Sequence, residues 1–158
     1  MKKEFFDYII EKMKQNRDIY FISAGLGWPR TEELSKEFPF RYIQTEAAEQ
    51  TALDIAVGLA YAGKIPFVYT ITPFFLRGYE TLRTYINHEN LNVKLVGAGR
   101  DDDYSKHDGF SHEAGDVPHL LAMLRTIKMY FPESVDSMKQ MVDTMISQQG
   151  PDFISIKK

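Results

Sequence analysis

The stretch that decides the fold is "RYIQTEAAEQTALDIAVGLAYAGKIPFVYTI", residues 41–71. It predicts a short strand at 40–44, a helix rich in small residues at 45–62 that ends at Gly63, and a second strand at 65–71. The second strand is apolar on both faces, as buried parallel strands are. A strand, a helix and a further strand in this order predict a right-handed crossover between parallel strands.

The same alternation of strands and helices continues along the chain. Further strands are predicted at 18–24, 93–99, 128–131 and 152–156, and further helices at 5–13, 31–38, 78–89, 116–127 and 134–147. This order indicates an α/β fold, because strands separated by helices form a mostly parallel sheet covered on both faces. We therefore predict a three-layer, doubly wound domain of about six strands over residues 1–158.

Composition excludes several classes of protein. The chain has 158 residues, a net charge of −3 and no cysteine, so disulfides and thiolate metal sites are excluded. This charge gives no bulk attraction to nucleic acid or to an anionic membrane. The first residues, 1–18, place Asp7 and Glu11 within an apolar stretch, which favours an amphipathic helix over a signal peptide. We expect a cytoplasmic protein with no nucleic-acid or membrane partner.

Candidate site residues are expected where the predicted strands end. In doubly wound sheets, ligands bind beyond the carboxyl ends of the strands. Three segments follow such ends: the turn at 45–49, the turn at 72–77 and the polar loop at 100–115. A loop of this length in a compact domain is more often functional than a simple connector.

Two glutamates lie in the first of these segments. Glu46 and Glu49 are predicted in the first turns of a helix, where an acid gains roughly 0.3–1 kcal/mol from the helix dipole. Three residues apart, they are expected on one side of the helix. The pattern also allows one of them to point into a pocket and handle a proton, so both interpretations remain open.

The second segment places two aromatic residues and a cation at a strand-to-helix turn, "TPFFLRGYETLR" (72–83). Phe74 and Phe75 are adjacent, so both cannot point into the core, and one of them can line a cavity and stack on a flat ring. The alternative is that both are ordinary core residues. Arg77 is either a surface residue or the partner of a phosphate or of an internal carboxylate.

The third segment contains "KHDGFSH" (106–112), which brings His107, Asp108 and His112 together around a glycine. Their spacing matches no standard metal-ligand pattern. Histidines near neutral pH can bind sugar oxygens or move protons, and a solvated loop is the alternative. The sequence also lacks G-x-G-x-x-G after the first strand and G-x-x-x-x-G-K-[ST], which argues against the usual nucleotide-binding folds.

Four segments, in this order, resemble the pyrimidine-binding domain of the transketolase family of thiamine diphosphate enzymes. "FPFRYIQTEAAEQTALDIAVGLAYAGKIPFVYT" is similar to the family segment with a Glu-Gln or Glu-His pair, and "FFLRGYETLR" to its Phe-Leu-x-Arg-x-Tyr-like turn. "HDGFSHEAGDVPHLLAMLRTI" is similar to its Asp-Gly-x-x-His loop and helix, and "GPDFISIKK" to its last strand. The resemblance runs over nearly the whole chain.

The resemblance implies a role for each residue that contacts the cofactor. Glu49 would hydrogen-bond N1′ of the pyrimidine ring and favour its 4′-imino tautomer, so that thiamine diphosphate can form its nucleophilic carbon. Glu46 would be structural. Phe74, or else Phe75, would stack on the pyrimidine.

The resemblance also implies which residues face the substrate. Asp108 would bind a hydroxyl, and His112, a catalytic residue, would bind a hydroxyl or the carbonyl oxygen. Arg77 and His107 would be further substrate-binding residues.

The chain departs from the family pattern in these same segments. Pro73 stands where threonine is common before the stacking phenylalanine. Phe110, in Gly-Phe-Ser-His, is expected to reshape the pocket. The first strand ends in "SAGLG" (23–27), where an acidic residue is common.

One family motif has no match in this chain. Full enzymes carry Gly-Asp-Gly followed by Asn, which binds Mg²⁺ and the diphosphate, whereas "GDV" (115–117) lacks the third residue of the motif. The resemblance therefore implies a split transketolase-like enzyme, an α₂β₂ assembly with a separate diphosphate-binding subunit that holds Mg²⁺. The implied reaction transfers a two-carbon ketol unit between sugars or sugar phosphates. The alternatives are a subunit of a 2-keto acid decarboxylase and a non-catalytic binding module.

Overall fold

The computed structural model contains one six-stranded sheet with helices on both faces. It describes residues 1–104 and 107–158 in full, and residues 105 and 106 only as part of a short helix. All neighbouring strands are parallel, in the order β2-β1-β3-β4-β6-β5. The α/β, doubly wound prediction is therefore confirmed. The strands are β1 Ile19–Ser23, β2 Tyr42–Gln44, β3 Ile65–Ile71, β4 Lys94–Ala98, β5 Lys128–Tyr130 and β6 Asp152–Ile156.

The helices alternate with these strands, as predicted. One segment is irregular: a 3₁₀ turn at Thr72–Gly78 continues into α4 and then into a π-helical stretch at Leu82–Asn87. A further 3₁₀ turn covers Phe110–His112. The α-helices are α1 Lys2–Gln15, α2 Arg30–Glu37, α3 Glu49–Tyr61, α4 Tyr79–Thr81, α5 Ser105–Asp108, α6 Val117–Ala122 and α7 Val135–Ser147.

The sheet separates two hydrophobic cores because successive strand residues point to opposite faces. In β3, Phe67 and Tyr69 point to the core that α1, α2 and α7 cover, whereas Val68 points to the core under α3, the irregular segment and α6. Helix α1 is amphipathic, as predicted, and buries five apolar side chains. In the described part of the chain, no helix is both long and apolar enough to cross a membrane.

The turn between β2 and α3 differs from the prediction. Helix α3 begins at Glu49 rather than near residue 45, because Glu46 has a positive φ of 50° and its carbonyl accepts a hydrogen bond from Ala48 N (2.8 Å). Glu46 therefore lies outside the helix, and the prediction that it shares a helix side with Glu49 is wrong. Its exposed carboxylate accepts a hydrogen bond from the side chain of Gln44 (2.8 Å) instead.

The segment after β4 is more ordered than the loop predicted at 100–115, since it contains α5 and the 3₁₀ turn. It starts at Gly99, whose φ is +85° and where an added Cβ would overlap the Tyr104 ring. Its base is closed by a hydrogen bond from Ala114 N to Asp101 O (2.8 Å). The packing of Tyr104 over a glycine therefore sets the direction in which the segment leaves the sheet.

Candidate active site

Four of the predicted site residues meet at the carboxyl ends of β2, β3 and β4. Glu49 begins the helix that follows β2, Phe74 and Arg77 lie in the 3₁₀ turn after β3, and His112 comes from the segment after β4. Their side chains form a continuous set of contacts, which we call the Glu49 cluster. Parallel strands bring their carboxyl ends to one edge, so residues distant in sequence become neighbours there.

Glu49 is the buried acid of the cluster. Only 3% of its side chain is exposed. Both carboxylate oxygens accept hydrogen bonds from Nη1 of Arg77, each at 2.8 Å. The first turn of a helix is also a favourable position for a negative charge. The internal-carboxylate alternative for Arg77 is thus the one that the structure shows.

The two adjacent phenylalanines have different environments. Phe75 has no exposed surface, and its ring packs edge-on against Phe153, with 6.1 Å between centroids. Phe74 is half-buried at the surface of the cluster. The Arg77 guanidinium lies over its ring at 4.0 Å from the centroid, and the His112 ring meets it edge-on at 5.0 Å. Full burial leaves Phe75 no surface for a ligand, so the predicted stacking role, which stays a prediction, can fall only to Phe74 of these two residues.

Close packing of the 3₁₀ turn against α3 brings Arg77 to Glu49. A Cβ at Gly78 would lie 2.5 Å from Cδ1 of Leu53 and 3.3 Å from Cα of Gln50. A side chain at this position would press on the backbone of α3, and the neighbouring atoms would have to move by a few tenths of an ångström. Gly78 therefore favours the close approach of the two segments that carry Arg77 and Glu49.

Thr72 is a site-positioning residue that sequence reasoning missed. Its buried hydroxyl donates a hydrogen bond to the Gly99 carbonyl (2.6 Å), which ties the turn after β3 to the start of the segment after β4. This bond fixes the two segments that carry Phe74 and His112 relative to each other. The only sequence signal was a polar residue at the end of an apolar strand.

The remaining predicted residues lie outside the Glu49 cluster. His107 and Asp108 are exposed on helix α5, and Phe110 is 80% exposed, so Phe110 fills no part of the cluster in the chain alone. His112 is half-buried, and its Nδ1 lies 3.0 Å from the hydroxyl of Ser111. Among the described residues, no group of three or more histidines and acids is placed to hold a metal ion.

The Glu49 cluster lies apart from a cavity at the same end of the sheet. A cavity of about 580 Å³ lies at the neighbouring ends of β1 and β2, and it is lined by residues that include Gly25, Trp28, Thr31 and Gln44. None of the four cluster residues lines that cavity. A buried acid and an aromatic ring that share one guanidinium as a partner are suited to binding a flat, hydrogen-bonding ring.

The fold and the site define a doubly wound α/β domain that carries a buried acid and an aromatic ring at the carboxyl ends of its strands. The family model described as "Transketolase, pyrimidine binding domain" matches residues 2–158. The chain belongs to this family.

Two relatives known from sequence are described as parts of transketolases. The "Putative transketolase C-terminal section" of Methanocaldococcus jannaschii is 27% identical over 160 residues, which cover 100% of this chain and 50% of the relative. An apulose-4-phosphate transketolase subunit of Actinobacillus succinogenes is 30% identical over 122 residues, which cover 77% of this chain and 39% of the relative. The chain thus spans half the length or less of both relatives.

Solved structures agree with these relatives. A "Split gene transketolase, inactive beta4 tetramer" superposes with a TM-score of 0.85 at 26% identity, over 98% of this chain and 50% of that one. The transketolase of Campylobacter jejuni superposes with a TM-score of 0.86 over 99% of this chain and 25% of that one. Its identity of 15% supports the shared fold alone.

Proposed function

We propose that this chain is the pyrimidine-binding subunit of a split, thiamine-diphosphate-dependent, transketolase-like enzyme. The enzyme transfers a two-carbon ketol unit between sugars or sugar phosphates, and it is active with a separate diphosphate-binding subunit. The observation that carries the proposal is the buried Glu49 carboxylate beside the half-buried ring of Phe74.

The residues present fit the aminopyrimidine of thiamine diphosphate. Such a ring needs an acceptor for a proton on its ring nitrogen and an aromatic face to stack on. The cluster already binds one flat, hydrogen-bond-donating group through these two contacts. The guanidinium of Arg77 donates to Glu49 and stacks on Phe74. When bound, thiamine diphosphate supplies the nucleophilic carbon that ketol transfer requires.

The residues of this chain would orient the ring and move protons. Glu49 would accept a hydrogen bond from the ring nitrogen and favour a proton there, and its burial would keep water away from this contact. His112, at the edge of the Phe74 ring, donates a hydrogen bond to a substrate hydroxyl or carbonyl oxygen. His107 and Asp108 bind further hydroxyls from the exposed helix α5.

In this proposal the partner chain binds the diphosphate of the cofactor and Mg²⁺. The sequence has no match to the Gly-Asp-Gly…Asn motif that binds the diphosphate and Mg²⁺ in full enzymes, which supports this assignment. The descriptions of the relatives as a section, a subunit and a split-gene product support it as well. An α₂β₂ assembly lets each partner close one cofactor cleft.

Reconstitution tests this function. The chain is mixed with the diphosphate-binding transketolase subunit of the same genome, thiamine diphosphate and Mg²⁺, and ketol transfer from a ketose phosphate to an aldose phosphate is followed. We expect transfer only when both chains are present. Decarboxylation of a 2-keto acid without ketol transfer would contradict the reaction, and full activity of the partner alone would contradict the role of this chain.

The two phenylalanines offer a matched prediction. Phe74→Ala should weaken cofactor binding about tenfold, because a stacked ring contributes about 0.5–1.5 kcal/mol beyond its buried area, and it should change the unfolding free energy little. Phe75→Ala should instead lower the unfolding free energy by about 3–5 kcal/mol, because its ring is fully buried against Phe153. Cofactor titration of the reconstituted enzyme and urea denaturation measure the two effects. If both variants changed cofactor binding and unfolding free energy equally, the assignment of binding to Phe74 and of stability to Phe75 would be rejected.

A further inference from the structure

We propose that the guanidinium of Arg77 is an internal ligand: in the chain without its partner it occupies the position of the aminopyrimidine, and the cofactor must displace it. This inference rests on the proposed function, and it adds that the Arg77 side chain and the cofactor compete for the same site. Both contacts that an aminopyrimidine needs, the Glu49 carboxylate and the Phe74 ring face, are held by this one side chain.

The guanidinium resembles the ring in the properties that the site recognises. It is planar and delocalised, and its N–H donors lie in its plane while its face can stack on an aromatic ring. In the cluster, Nη1 lies 2.8 Å from each carboxylate oxygen of Glu49, and Cζ lies 4.0 Å from the Phe74 centroid. One group therefore makes an in-plane hydrogen bond and a stacking contact together.

Arg77 and a bound ring exclude each other. A distance of 4.0 Å is that of two surfaces in van der Waals contact, so no second flat group fits between the guanidinium and the ring of Phe74. The edge of the same ring is covered by His112. A pyrimidine can stack on Phe74 and reach Glu49 only after Arg77 has left.

Departure of Arg77 requires only rotation of its side chain. Half of the Arg77 side chain (51%) is exposed, whereas Glu49 is buried, so the guanidinium can move into water without disturbing the core. The backbone of its turn remains held by the bond from Thr72 to Gly99. Once released, Arg77 lies at the mouth of the cleft, where it is free to bind the anionic group of a sugar phosphate.

The ion pair between Arg77 and Glu49 stabilises the chain when no partner or cofactor is bound. A buried carboxylate without a partner is costly, and Arg77 supplies one until the cofactor arrives. The same contact lowers the apparent affinity for the cofactor, because a ligand sees only the fraction of molecules whose site is open. If Arg77 closes about nine sites in ten, its removal tightens binding about tenfold.

Titration of the isolated chain with thiamine, followed by calorimetry, tests the proposal. Arg77→Ala should bind thiamine about tenfold more tightly than wild type, and Arg77→Gln should show the same direction of change. Arg83→Ala is the matched control, since Arg83 is also exposed and paired with an acid, Glu80 (2.7 Å). It should bind thiamine as wild type does.

Free guanidinium provides an independent measurement. In Arg77→Ala, a few millimolar guanidinium chloride should weaken thiamine binding, whereas the same concentration of ammonium chloride should not. Adding Glu49→Gln to Arg77→Ala should abolish the gain in affinity, because the amide oxygen of glutamine is an uncharged and weaker acceptor than the carboxylate.

The outcomes separate the two proposals. Thiamine binding by Arg77→Ala that equals or falls below that of wild type would overturn the internal ligand and leave the proposed function standing. Binding that Glu49→Gln does not affect, or no binding to any variant, would overturn both.

Discussion

Glu49→Gln should lower ketol transfer by the reconstituted enzyme about a thousandfold, within the range by which positioned acid–base groups accelerate reactions. Glutamine has nearly the same shape as glutamate, but its amide is neutral. It therefore lacks the negative charge that stabilises a proton on the ring nitrogen. The loss should appear in kcat as well as in kcat/KM, since the carboxylate acts on the bound cofactor. The fold should persist, because Arg77 is half exposed and can turn to water when its partner is neutral.

Glu46→Gln is the control for this measurement. Glu46 is exposed in the turn before α3, and its carboxylate bonds to the side chain of Gln44, so its replacement should leave transfer within about twofold of wild type. Circular dichroism and thermal unfolding establish that both variants are folded. Turnover near that of wild type in Glu49→Gln would reject the role assigned to this acid.

Lys94→Ala should lower the unfolding free energy by about 3–5 kcal/mol, because it leaves a buried carboxylate without its charge partner. Lys94 and Asp152 begin β4 and β6 side by side, with 0% and 1% of their side chains exposed. Nζ of Lys94 lies 2.5 Å from Asp152 Oδ2 and also donates to the Gly150 carbonyl at 2.9 Å. Burial lowers the pKa of Lys94 and raises the pKa of Asp152, because it disfavours the charged form of each group. The charge of each partner opposes this effect on the other.

Urea denaturation measures this loss, and two comparisons control it. Lys3→Ala removes an exposed pair with Asp7 and should change stability by less than about 1 kcal/mol. Lys94→Met combined with Asp152→Asn removes both charges and should recover much of the loss, since replacing a whole buried pair is far less costly than breaking it. A loss below about 1 kcal/mol for Lys94→Ala alone would show that water reaches this pair.

Much of the fold follows from the sequence because buried parallel strands are continuous apolar runs. The predicted strands at 65–71 and 152–156 agree with β3 and β6 at both ends. The start of α3 was not predictable in the same way, because it depends on a non-glycine residue, Glu46, with a positive φ. Such a conformation is held by its surroundings, here the close approach of Gly25, and not by local preference.

The candidate site shows a similar division. Sequence patterns place Glu49, Phe74 and His112 at strand ends, and the structure brings them together. They do not determine which of two adjacent phenylalanines is buried, nor that Arg77 reaches an acid 28 residues away. The first depends on the packing of Phe75 against Phe153 of β6, and the second on the close approach of α3 and the 3₁₀ turn at Gly78.

The position of β6 has a consequence for how the chain acquires its shape. β6 lies between β4 and β5, although it follows both in sequence, so β5 has no neighbouring strand until residues 152–156 have been synthesised. The pairing of β6 with β4 joins residues that are 58 apart in the sequence. We therefore expect this pairing to form later and more slowly than pairings between strands that are closer in sequence. A ribosome-bound fragment that lacks β6 should thus expose two unpaired strand edges, and it would be a natural client for chaperones.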